Sequence, residues 1–131
     1  MTAEPKLMHK LLERVIPFRF LTKPERDDLI PDLSVREFEA GEIIIRQGDQ
    51  DDIQVYVLVS GLVEIYDESE GDERRVMFVE PDHYFGEWEP LFDVPRFYSI
   101  RAIEPSRCCV ISGERFLTLL AEARPVAQSL G

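Results

Sequence analysis

Positive charge is scarce in this 131-residue chain: 15 Lys and Arg stand against 26 Asp and Glu, for a net charge of -11. That balance excludes a surface built to hold nucleic acid, and it disfavours an anionic membrane surface. Histidine is scarcer still, with only His9 and His83. A jelly-roll metalloenzyme draws its ligands from several histidines on neighbouring strands, and a Ser/His/Asp or Cys/His relay needs a histidine beside its nucleophile. His9 falls in the first helical stretch and His83 reads as a turn residue, so no catalysis is expected.

Long apolar runs are missing too. Nothing approaches the roughly 20 residues needed to span a bilayer, and no secretory leader is evident. Cys108 and Cys109 are the only cysteines. Neighbours in a strand point to opposite faces, so they do not readily bridge each other. One is expected in the core and the other half exposed, in a cytoplasmic setting. The acidic clusters Asp49-Asp51-Asp52 and Asp67 to Glu73 lack the ordered spacing of a calcium loop and read as solvated turns.

What remains is sized for one domain, residues 1–131, with 44% hydrophobic content. Residues 1–33 read as an N-terminal helical segment. Leu7, Met8, Leu11, Leu12 and Val15 recur at helical spacing, and Pro17 stops that helix. Thr22 suits a cap, Pro24 and Glu25 a first turn, and Pro31 a stop. Residues 34–112 change to strand character, in short apolar runs punctuated by Gly41-Glu42, Gln47-Gly48-Asp49 and Ser60-Gly61. Runs of this kind without intervening helices predict a mainly β fold, an antiparallel jelly roll. Residues 113–131 form a closing helix and tail, with Phe116, Leu117, Leu119 and Leu120 as the apolar side.

The stretch from Phe85 to Ser99 carries the chemistry. Gly86 lets backbone approach a ligand closely, and one helical turn after it would aim free N–H groups at an anion. Arg96 adds a planar fork of donors matched to two phosphate oxygens. Glu87 repels phosphate but accepts from a hydroxyl such as a ribose 2′-OH; capping the cassette turn is its other reading.

This Phe85-Gly86-Glu87 … Pro95-Arg96 … Ser99 pattern resembles the phosphate-binding cassette of the cyclic nucleotide-binding domain. Phe38-x-x-Gly41-Glu42, Gln47-Gly48-Asp49, Tyr56-x-Leu58 and Ser60-Gly61 match the same family in order, over roughly residues 7–123. The resemblance implies a double-stranded β-helix (jelly roll) of eight strands flanked by N-terminal helices and a C-terminal helix. It implies cAMP or cGMP as ligand, with no other cofactor and no metal. Gly86, Glu87, Trp88, Arg96, Phe97 and Ser99 would form the site: Glu87 on the ribose, Arg96 on the cyclic phosphate, Ser99 beside the phosphate or base. An effector protein or fused domain would receive the signal, and an oligomer is left open.

The departures point elsewhere. Phe97 and Tyr98 stand where the family has small residues, Pro90 removes a donor from the cassette turn, and Asp82 replaces a common glycine. Residues 126–131 are expected to be too short for the family's lid helix, and no helix-turn-helix is expected. An inward ring at Phe97 or Tyr98 would fill the ligand space; alternatively the aromatics shape a pocket or a partner surface. The competing expectation is a domain of this fold that has lost its nucleotide and serves as a protein-interaction or regulatory scaffold.

Overall fold

A computed structural model describes residues 5–14, 18–50, 53–87 and 94–122. Helix α1 (Pro5–Arg14) is followed by a 3-10 turn (Phe18–Phe20), α2 (Lys23–Leu29) and a second 3-10 turn (Ile30–Asp32). Eight strands come next: β1 (Ser34–Phe38), β2 (Ile43–Ile45), β3 (Gln54–Ser60), β4 (Val63–Asp67), β5 (Arg74–Val79), β6 (Tyr84–Phe85), β7 (Ser99–Ala102) and β8 (Ser106–Ser112). Helix α3 (Gly113–Glu122) closes the order. The strands form two antiparallel four-stranded sheets, β1-β8-β3-β6 and β2-β7-β4-β5. The mainly β jelly roll flanked by helices is therefore present.

The first sheet is covered on both faces, which explains why β3 is apolar at nearly every position. Val55 and Val57 pack outward against Met8, Leu11, Leu12, Leu29 and Phe116 of the helices. Tyr56 and Leu58 point the other way, into the barrel with Phe38, Val63, Phe85 and Val110. Each such side chain contributes on the order of 1.5–3 kcal/mol when fully buried. Cys109 belongs to the helical side and Cys108 to the barrel, and both are buried. The expected half-exposed thiol is thus corrected, because helices cover the face that an uncovered sheet would leave wet. Burial pushes both thiols up to about 12.

The second sheet buries its inner face and, on the outer one, Glu64 and Tyr66 of β4. On its outer face the Glu64 carboxylate is held by Arg75 Nε at 2.6 Å from β5 and by Arg101 Nη2 at 2.7 Å from β7. Arg101 also lies 4.3 Å over the Tyr66 ring. These pairs stitch three strands together at their centre.

The helices are set by local signals. Thr22 and Glu25 form a reciprocal capping box, with Thr22 N–H donating to Glu25 Oε1 at 2.7 Å and Glu25 N–H to Thr22 Oγ1 at 3.3 Å. Such a cap stabilises a helix by about 1 kcal/mol. Pro31 lies inside the second 3-10 turn, two residues past the end of α2. From α3, Arg115 reaches Asp28 at 3.1 Å and Asp32 at 2.8 Å, joining the two helical ends. Phe116 and Leu119 are buried as expected, but Leu117 turns outward and is exposed. The side chains of Leu7 and Leu120, and all of Val15 and Pro17, lie outside the described residues. No described helix is long and apolar enough to cross a membrane.

Candidate functional site

A cavity of about 450 Å³ opens beside β5 and β6. Its floor is apolar: Ile45, Ile65, Phe85 and Ile100. Val76, Met77 and Phe78 of β5 form one wall and Tyr98 another, and all four stay substantially exposed. Gly86 and Glu87 close the polar end. Phe85 is fixed there by stacking on Tyr56, with ring centroids 5.2 Å apart.

Gly86 has φ +80, a left-handed backbone that favours glycine. A methyl group there would come within 3.1 Å of Ile45 Cδ1, 3.2 Å of Arg96 Nη1 and 3.3 Å of the Gln54 carbonyl. Both the turn and the close packing require its bare Cα.

Arg96 is only 5% exposed. Its Nη1 donates to the Gly86 carbonyl at 2.6 Å and its Nη2 to the Gln54 carbonyl at 2.5 Å. Its backbone is zipped to a turn after β2: Arg96 N–H donates to Asp49 O, and Gly48 N–H donates to Arg96 O, both at 2.9 Å. The guanidinium therefore sits immediately behind Gly86, against the cavity wall rather than on its surface. Glu87 lines the cavity half-buried, and Tyr84 lies next to it. Burial, with the Glu87 charge as a second cause, holds the Tyr84 hydroxyl above its ordinary pKa.

The structure thus brings Gly86, Glu87 and Arg96 together, while Phe97 and Ser99 do not line the cavity. Phe97 is 49% exposed and does not line the cavity. Its carbonyl instead accepts from Gln47 Nε2 at 2.8 Å. Ser99 is fully buried away from the cavity, accepting from Gln47 N–H at 2.9 Å and donating to Glu68 Oε2 at 2.5 Å. Tyr98 and Ile100 line the cavity, whereas Phe97, in the bend ahead of β7, and Ser99 do not. Of the two aromatic rings after Arg96, that of Tyr98 borders the cavity, and it stays 42% exposed. Trp88, with Pro90 and Phe92 of the expected helical turn, lies outside the described residues.

Sequence reasoning missed the β5 wall and the bonds of the Gln47 side chain. The run Val76-Met77-Phe78-Val79, apolar at every position yet on a sheet edge, was the available signal for the wall. Gln47 reads as part of the Gln47-Gly48-Asp49 turn, which carries no sign of where its side chain bonds. His83 does occupy a turn, with Nδ1 at 3.2 Å from both Glu80 O and Pro81 O, and it also borders the cavity. Among the described residues no cluster of His, Cys, Asp or Glu is placed to hold a metal ion.

Residues 35–123 match the model of the cyclic nucleotide-binding domain. A cAMP-dependent protein kinase regulatory subunit from Dictyostelium discoideum is 35% identical over 129 residues, covering 95% of this chain and 38% of that protein. The regulatory domain of Toxoplasma gondii PKA, solved with cAMP, superposes with a TM-score of 0.84 at 21% identity, covering 95% of this chain and 46% of that one. A regulatory subunit of a cAMP-independent protein kinase A from Trypanosoma cruzi, bound to guanosine, gives 0.84 at 24% identity, covering 96% and 44%. The two structures show likeness of fold. This chain belongs to the cyclic nucleotide-binding domain family, and it spans less than half the length of each of these relatives.

Proposed function

We propose that residues 1–131 act as one regulatory unit that binds cAMP or cGMP in the cavity beside β5 and relays its occupancy to an effector protein or fused domain. The observation that carries this reading is Gly86 and Glu87 at the cavity's polar end with the Arg96 guanidinium bonded to Gly86 directly behind them. Glu87 would accept from the ribose 2′-OH, and the apolar β5 wall suits the face of a purine. Arg96 would exchange a backbone carbonyl for phosphate oxygens, a charge-assisted and therefore stronger bond. Trp88 belongs to the proposed site through the resemblance alone. The flanking helices would then repack, a population shift that requires the ligand to prefer one helix arrangement. Binding and relay, without catalysis, in the cytoplasm, are the proposed role.

A second reading has one observation in its favour. Arg96 already donates to the Gly86 and Gln54 carbonyls, and an exposed apolar rim of Val76, Met77, Phe78 and Tyr98 surrounds the cavity. That combination suits a scaffold that binds protein rather than nucleotide. Thermal melts with cAMP, cGMP and cyclic dinucleotides, repeated on Arg96→Ala, separate the two. Ligand at a hundred times its Kd stabilises the fold by about 2.7 kcal/mol, a shift of several degrees. A shift that vanishes in the variant is expected; no shift with any nucleotide sinks the sensor reading and leaves the scaffold.

A further inference from the structure

Arg96 and its neighbours lie at the entry to β7, where the Arg96 side chain is bonded to the Gly86 and Gln54 carbonyls. Pro95 has no N–H, and Arg96 to Tyr98 precede β7. The backbone of this segment is held by the turn after β2, and the Gln47 side chain in that turn makes three hydrogen bonds. Gln47 Nε2 donates to Phe97 O at 2.8 Å and to Asp67 Oδ1 at 2.9 Å. Gln47 Oε1 accepts from the Glu68 N–H at 2.9 Å, and its own backbone N–H reaches Ser99 Oγ at 2.9 Å. Gly48 and Asp49 add the two backbone bonds to Arg96 described above. The far side of the clasp is secured in turn: Asp67 Oδ1 also accepts from Ser69 N–H at 2.9 Å, and Ser99 donates to Glu68. Gln47 is the largest cause holding the Asp67 carboxyl below its usual pKa, so that acceptor stays charged and strong.

From this arrangement we infer that Gln47 is a positioning residue for Arg96: it clamps the Arg96–Ser99 segment to the end of β4, and so sets where the guanidinium stands relative to Gly86. The inference rests on the nucleotide reading of the cavity. Gln47 does not line the cavity, so its effect on a ligand acts through Arg96. No shorter or acidic residue can replace it. Alanine removes the arm, and glutamate loses both donors while facing the Asp67 carboxylate and the Phe97 carbonyl.

The test uses Gln47→Ala, Gln47→Glu and Arg96→Lys in the full chain, titrated with cAMP and cGMP. Gln47→Ala is expected to raise the nucleotide Kd about ten-fold, the equivalent of one lost hydrogen bond. Combined with Arg96→Lys it adds little further loss, because both act on one contact. Wild-type affinity in both Gln47 variants, or losses that simply add, overturns the inference and leaves the nucleotide reading standing. Amide hydrogen exchange without ligand supplies an independent readout. Gln47→Ala speeds exchange at the Arg96 and Gly48 amides while those of β3 keep their rates; unchanged rates at Arg96 overturn the inference whether or not nucleotide binds. Failure of the unsubstituted chain to bind either nucleotide overturns the nucleotide reading and, with it, any role for Gln47 in ligand binding.

Discussion

Arg96 Nη1 lies 2.6 Å from the carbonyl oxygen of Gly86, so the cation is held by the same residue whose missing Cβ makes room for it. Substitution of Gly86 by alanine forces a side chain onto φ +80 and pushes its methyl to 3.2 Å from that nitrogen. We expect Gly86→Ala to destabilise the fold by about 1–2 kcal/mol and to remove the nucleotide-induced melting shift. Chemical denaturation and the ligand melt read the two effects separately. A variant that binds as well as the parent would show that the guanidinium's place behind Gly86 is immaterial.

Gly61 tests packing rather than ligand. Its φ is +103, and a Cβ there would fall 2.2 Å from Ser106 Oγ and 2.7 Å from the Pro105 carbonyl. Gly71 has a similar φ of +92 with nothing within 4 Å. Gly61→Ala should therefore cost about 3 kcal/mol or more, and Gly71→Ala only about 1 kcal/mol. Comparable denaturation midpoints for the two variants would contradict the crowding at Gly61.

Asp82 stands in the left-handed region at φ 70, the one non-glycine described there. Asp tolerates this conformation better than most residues, and its backbone N–H is anchored to Leu58 O at 2.8 Å. Asp82→Gly should leave stability within about 0.5 kcal/mol, since relieved strain offsets added freedom in the unfolded chain. Asp82→Val should destabilise by about 1–2 kcal/mol. Thermal melts that rank the two variants the other way would remove the backbone explanation.

The Glu64 carboxyl is held below its usual range, first by the hydrogen bond from Arg75 and then by Arg101 against the opposing cost of burial. A carboxylate depressed on folding contributes stability above its unfolded pKa, here taken as 4.5. That contribution is lost as pH falls through the lower, folded value. Glu64→Gln should destabilise by about 2 kcal/mol at neutral pH, and the gap to the parent should narrow steadily below pH ~4. A gap that stays constant down to the acid transition would mean that the Glu64 charge is not linked to folding.

How far the residues announced this arrangement depends on the kind of signal each carried. Glycine turns and apolar runs placed most of the strands, because backbone sterics and the period-two pattern act locally. Gly86, Glu87 and Arg96 were legible because their types and spacing suit a single task. Tyr84–Phe85 was not read as a strand, since two residues carry no period; tertiary pairing with Tyr56 and Val57 makes it one. Which of Phe97 and Tyr98 borders the cavity depends on the bend ahead of β7, which a motif of residue types does not state. Gln47 was legible as a turn residue, but its bonding was not, because its partners lie 20 to 52 positions away in sequence.

The two adjacent cysteines acquire a use from the sheet that separates them. Cys109 shares its surroundings with Met8, Leu12 and Phe116 of the helices, whereas Cys108 is enclosed with Val63 and Ile100 inside the barrel. Neither thiol reacts while buried, because only the rare thiolate attacks. They are therefore built-in reporters of two different openings. A movement of the helices off the sheet uncovers Cys109 alone, and only a breach of the barrel uncovers Cys108. Labelling with a thiol reagent, followed by mass analysis of the two positions, would tell whether an occupied cavity loosens the helical layer or leaves the whole molecule shut.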